Sequence, residues 1–165
     1  MLSLGDWLSR GSSGYSAQSS LGAGSFAGAA ASAGPTPQAN AGTVRTRLVV
    51  DLDGLRATLL RDRRPIFQAP IGVGEAAWPT PTGEFYIRNR LTNYDNPFYG
   101  PLAFGTSARS AVLTDWPDGG FVGIHGTNQP ELLPGRVSHG CIRMRNEDIL
   151  ELGRLMPIGT PVTVR

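Results

Sequence analysis

From Arg45 to the end of the chain, short apolar runs recur between clusters of Gly, Pro, Asn and Asp, the pattern of β-strands joined by turns. Arg45–Leu52 reads as a strand, Asp53-Gly54 as a two-residue hairpin signal, and Leu55–Leu60 as the returning strand. Asp62–Arg64 turns the chain again into an extended run over Pro65–Val73. Trp78-Pro79-Thr80-Pro81-Thr82-Gly83 is a rigid loop, because its prolines fix φ and restrict the residues before them. A strand follows at Glu84–Arg90. Residues 91–110 hold Asn96-Pro97 and Tyr99-Gly100-Pro101 with little periodicity and read as a long loop, a length usually kept for a task such as covering a site.

Phe121–His125 is a short strand that ends on a histidine. Helical spacing appears once, where Ile149, Leu152 and Met156 share a face and Pro157 ends the run. Asn146 is the expected N-cap there, and Glu147 and Asp148 suit the positive end of the helix dipole. Pro161–Arg165 closes the chain as a strand with Val162 and Val164 on one side. The expected class is mainly β (α+β), with one helix.

Residues 1–42 differ in kind. They are rich in Gly, Ala and Ser, lack apolar periodicity, and are expected to be a disordered tail or linker preceding a domain over residues 43–165. Leu21–Ala33 ends in Ala31-Ser32-Ala33, which resembles a signal-peptidase site. The run is broken by glycine and preceded by Arg10 as its one positive residue, so a linker is the favoured reading. At 165 residues the chain can bury a real core. A net charge of +2 is too mild to imply nucleic acid, and no apolar stretch approaches a bilayer span. All 15 basic residues are arginine, which is mostly a mark of genome composition. The chain is expected to act as a monomer, without cofactor and without membrane insertion.

Candidate chemistry gathers in one stretch. The single cysteine, Cys141, follows His125 by sixteen residues (141 − 125 = 16), and the only other histidine, His139, lies between them. A thiolate is a strong nucleophile near neutral pH and an adjacent imidazole is the usual means of making one, which points to covalent acyl transfer. Gly140 leaves room for a carbonyl to approach the backbone, with the amides of Gly140 and Cys141 as candidate oxyanion donors. If Ser138–Met144 is extended, His139, Cys141 and Arg143 share a face while Ile142 and Met144 pack inward. Either histidine is a candidate base. Gly126, beside His125, has no polar side chain, so a third member orienting that ring must be a backbone carbonyl. Arg143 is placed either to bind a substrate carboxylate or lower the thiol pKa, or simply to pin a loop. Thr127, Asn128 and Arg136 are weaker candidates for substrate contact. A zinc reading of His125, His139 and Cys141 supplies at most three ligands and no C-x-x-C partner, so no metal is expected.

Ile124-His125-Gly126-Thr127 followed by Ser138-His139-Gly140-Cys141-Ile142-Arg143-Met144 resembles the hallmark of the L,D-transpeptidase catalytic domain, also called the YkuD domain. Pro79–Phe85 is similar to that family's Thr-Pro-x-Gly-x-Phe segment, and Gly159–Val162 to its closing strand. The resemblance covers about residues 45–165. It implies a β-sandwich or open barrel with a helix after the cysteine, and a metal-free thioester mechanism on peptidoglycan stem peptides outside the membrane. By the same analogy Cys141 is the nucleophile and His125 the base, with Ser138, His139, Gly140 and Gly126 building the pocket. Some members carry Ser after the first histidine and Asn two residues after the cysteine, where this chain has Gly126 and Arg143. Hydrolysis of the same thioester, by an L,D-carboxypeptidase or endopeptidase, and a catalytically silent wall-binding module are the alternatives.

Overall fold

In the computed structural model the described residues are 45–92, 96–113 and 120–165, so the expectations for residues 1–42 lie outside them. Ten strands form one strongly bent sheet, a half-barrel, in the order β3-β2-β1-β10-β5-β6-β7-β9-β4-β8. They are β1 (Thr46–Asp51), β2 (Arg56–Arg61), β3 (Arg64–Pro70), β4 (Gly72–Gly74), β5 (Gly83–Thr92), β6 (Leu102–Arg109), β7 (Phe121–His125), β8 (Gly135–Ser138), β9 (Ile142–Arg143) and β10 (Pro161–Val164). The single α-helix among the described residues, α1, spans Asn146–Leu155.

The N-terminal meander follows from local turn chemistry. Asp51 Oδ1 accepts from the amides of Asp53 and Gly54 at 3.2 and 3.0 Å, closing the first hairpin as an Asx-type turn. Asp51 pairs with Arg56, so this loop holds four residues rather than two, and Leu55 takes the left-handed backbone (φ 46°). Between β2 and β3, Asp62 and Arg63 both have positive φ, the signature of a type I′ turn.

β5 joins the two halves of the sheet. Its first residues pair with β10, and from Ile87 it pairs with β6, with a register shift between Ile87 and Asn89. β10, although last in sequence, lies inside the sheet between β1 (parallel) and β5 (antiparallel). The core runs along the inner face of both halves and includes Leu48, Leu59, Ile71, Ile87, Phe104, Ile124, Ile142 and Met144. Ile149, Leu152 and Met156 of α1 and the residue beyond it complete that core, as their spacing predicts. A Cβ at Gly153 would come within 2.7 Å of Leu102 Cδ1, so glycine there lets the helix lie close to β6.

Two further expectations are corrected. The segment read as a loop over 91–110 contains β6, hydrogen-bonded between β5 and β7. Leu102-Ala103-Phe104-Gly105-Thr106 is buried on both faces, so the alternation that marks a half-exposed strand is missing. Asn146 does not cap α1. Arg145 is the N-cap, with no side-chain bond to the helix, and Asn146 Oδ1 instead accepts from Thr127 N–H at 2.9 Å. The start of the helix is thereby tied to the loop that follows His125.

Candidate active site

Sheet register brings the site together. Leu91, Ala103, His125 and Arg143 pair in sequence across β5, β6, β7 and β9, and Asn89, Gly105 and Gly123 form the next row. In β7 the period of two sends Val122 and Ile124 into the core and leaves Phe121, Gly123 and His125 on the opposite face. Cys141 lies over that face, where its Sγ accepts from Gly123 N–H at 3.4 Å. Gly123 was not singled out from the sequence. Its signal was available: it stands two residues before His125, hence on the same side of the strand.

His125 is 1% exposed. Its Nδ1 lies 2.6 Å from Gly126 O, so Nδ1–H donates to the backbone carbonyl and the lone pair is left on Nε2. This is the carbonyl orienter that the sequence required. A side chain at Gly126 would collide with Asn146 Oδ1, Gly100 and Pro101. Tyr99 meets the imidazole edge-on at 5.0 Å and Phe98 lies at 6.3 Å, both from the 3₁₀ turn Pro97–Tyr99. Burial lowers the imidazole pKa from 6.5 to about 4, with the Gly126 bond opposing that shift and the Arg143 charge adding to it. Burial also pushes the Cys141 thiol up, against the Gly123 hydrogen bond and Arg143, which both favour the thiolate. At rest the thiol and the imidazole are therefore both neutral.

The stretch from Ser138 to Met144 is not extended throughout. Gly140 has φ +107°, a conformation side chains resist, and the turn 139–141 separates Ser138, the last residue of β8, from β9 at Ile142–Arg143. The Ser138 hydroxyl spans the turn, donating to Cys141 O at 2.6 Å and accepting from Gly140 N–H at 3.1 Å. Thr80 locks it from the other side: its hydroxyl donates to Gly140 O and accepts from Gly74 N–H, both at 2.9 Å. The Thr-Pro loop noticed in the sequence thus serves to hold the cysteine turn. Sequence reasoning assigned no role to Thr80.

The remaining candidates separate. His139 is exposed and packs edge-on against Trp78 at 4.4 Å, away from the His125 ring stack. Thr127 is buried and its hydroxyl accepts from Gln129 N–H, which makes it part of the loop scaffold, whereas Asn128 is exposed. Arg136 is engaged elsewhere, with Nη2 on Leu52 O at 3.2 Å and Asp53 Oδ1 at 3.5 Å. Arg143 is buried against Phe98, its Cζ 4.6 Å from the ring centre. Phe121, on the same face of β7 as His125, carries the guanidinium groups of Arg88 and Arg109 over its ring, at 3.9 and 4.1 Å from the centre. No group of three or more His, Cys, Asp or Glu side chains with metal-binding geometry occurs among the described residues.

Comparison with known proteins agrees with this architecture. The chain is 38% identical to the Bacillus subtilis protein YkuD, which bears an L,D-transpeptidase name, over 122 residues covering 74% of this chain and 67% of that one. Among solved structures, an Enterococcus faecium L,D-transpeptidase superposes with a TM-score of 0.57 at 28% identity, covering 73% of this chain and 50% of that one. A Mycobacterium tuberculosis L,D-transpeptidase shares the fold with a TM-score of 0.59 at 21% identity, over 74% of this chain and 58% of that one. The chain thus spans about half the length of those solved structures. The sequence model of the L,D-transpeptidase catalytic domain, YkuD, matches residues 45–164, and the chain belongs to that family.

Proposed function

We infer that this protein is a peptidoglycan L,D-transpeptidase in which Cys141 and His125 carry the chemistry. The observation that supports it best is the pairing of a buried imidazole, fixed by Gly126 O, with a thiol on the same strand face. His125 Nε2 takes the thiol proton as Sγ bonds to the carbonyl carbon of the third stem residue. The tetrahedral oxyanion is received by the Cys141 amide; Gly140 N–H is already given to Ser138 Oγ. Such a donor is typically worth about 3 kcal/mol. Collapse breaks the amide bond, and the imidazolium hands its proton to the departing D-Ala amine. An amine from a neighbouring stem then attacks the thioester, His125 takes its proton, and the thiol is restored with a 3→3 cross-link formed.

Because both partners rest neutral, the imidazole must take the thiol proton in the course of the reaction. The substrate lies outside the cytoplasmic membrane, so the protein acts there. Among the described residues no helix is long and apolar enough to cross a membrane.

The test is incubation with a disaccharide-tetrapeptide and mass spectrometry of the products. A dimer formed with loss of D-Ala is expected, and Cys141→Ala should reduce it to background. Tripeptide alone would replace transpeptidation by hydrolysis of the same thioester. Unchanged turnover in Cys141→Ala would remove the nucleophile assignment, and no reaction in either protein would favour a silent wall-binding module.

A further inference from the structure

Arg143 is the one arginine among the described residues that is buried, at 6% exposure. Its backbone is held on both sides, paired with His125 of β7 and with Gly72 of β4. No ion pair among the described residues balances the guanidinium. Its Nε is buried without a hydrogen bond, and the ion pairs among the described residues are Arg47–Glu84 and Arg136–Asp53, neither of which involves it. Glu75 contributes attraction but lies outside ion-pair distance.

Burying a cation without an ion-pair partner is unfavourable. The Phe98 face offsets only part of that cost. The neighbouring thiol does not act as counter-ion, since burial keeps it protonated. The site is therefore one negative charge short, at a point beside the nucleophile.

Resting on the function inferred above, we propose that Arg143 receives a carboxylate of the donor peptide next to the scissile carbonyl, so that substrate binding completes a buried ion pair. A planar guanidinium fork suits a carboxylate in two-point contact. The donor offers two such groups near the reacting bond: the terminal carboxylate of the leaving D-Ala and the side-chain carboxylate of the third residue. The same site would hold either.

Binding and turnover are measured separately so that the two readings fail separately. Full-length Cys141→Ala protein, which cannot form the thioester, is titrated calorimetrically with three disaccharide-tetrapeptides. One has both carboxylates free, one carries a D-Ala carboxamide, and one is amidated on the third-residue side chain. One of the amides is expected to weaken binding by about 10- to 100-fold, the value of a charged hydrogen-bonded contact, and its identity names the carboxylate. Adding Arg143→Gln should weaken the free donor by a similar factor and abolish the discrimination, while Arg143→Lys keeps part of it. The melting temperature of Arg143→Gln should stay level or rise, because an uncompensated charge is removed; a loop-pinning arginine would lower it.

The proposal is overturned if no tetrapeptide binds, if all three donors bind equally, or if Arg143→Gln keeps the discrimination. It is also overturned if Arg143→Gln leaves donor binding intact and only moves the pH profile of Cys141 alkylation in the otherwise wild-type protein. Loss of D-Ala release by the wild-type enzyme with discrimination intact would count against the function and leave the carboxylate site standing.

Discussion

The two halves of the sheet solve the same problem by different means. In the β3-β2-β1-β10 half, β1 and β2 pair residue for residue from Thr46↔Arg61 to Asp51↔Arg56, their side chains alternate between core and surface, and one register shift, at Leu59/Leu60, interrupts β2/β3. The β5–β9 half is irregular. Register shifts interrupt β5/β6 and β6/β7, Thr106 bridges the second by donating to Val122 O and accepting from Ala108 N–H, and Thr80, Ser138, His125 and Arg143 are buried polar groups. A regular ladder satisfies its own backbone. Where the chain must leave the ladder to present a thiol and an imidazole, side chains such as Thr80, Ser138 and Asn146 take over that duty. Both halves share the core, and the irregular one also supplies the geometry of the site.

Replacing His125 by Asn should break the active half alone. A loss of about 100- to 10,000-fold in turnover is expected, the usual value of a general base, with the circular dichroism spectrum unchanged. Turnover within a few-fold of wild type would move the base elsewhere. In the structural half, Leu59→Ala empties a fully buried position and should cost about 2–5 kcal/mol in chemical denaturation, with activity per folded molecule retained. Equal loss of activity and stability there would mean the halves are not separable.

Acid separates them as well. The His125 pKa falls from 6.5 to about 4 on folding, so between those values the unfolded chain binds the proton that the folded chain refuses. Stability from this group is complete above pH 6.5 and drains as pH falls toward 4, by up to about 3 kcal/mol. His125→Gln should lack that part of the pH dependence. The acid limb of kcat/KM should lie near pH 4; a limb near 6.5 would show that the imidazole is solvated. The finest comparison uses two glycines at positive φ, Gly140 at +107° and Gly159 at +85°. Neither has a neighbour closer than 3.6 Å to an added Cβ, so alanine costs each about 1–3 kcal/mol of backbone strain. Gly140→Ala should also impair turnover by shifting the Cys141 turn, whereas Gly159→Ala should leave it intact.

The amino-acid sequence by itself determined the local elements: the meander of β1 to β3, the strand ending in His125, the apolar face of α1, and a lone thiol in a glycine turn. These rest on period, turn residues and residue chemistry, all of which act over a few positions. It also required a backbone carbonyl behind His125, because Gly126 offers nothing else. Only the tertiary structure decided that β10 inserts between β1 and β5, that 102–109 is an inner strand, and that Asn146 serves Thr127 and not its own helix. The same holds for Thr80 locking Gly140 and for the buried Arg143, whose Nε lacks a hydrogen-bond partner. Each of these joins residues far apart in the chain or hides a strand's alternation by burying both faces. Long-range pairing and two-sided burial leave no periodic trace in sequence, and it is through them that the fold places His125, Cys141 and Arg143 on one face.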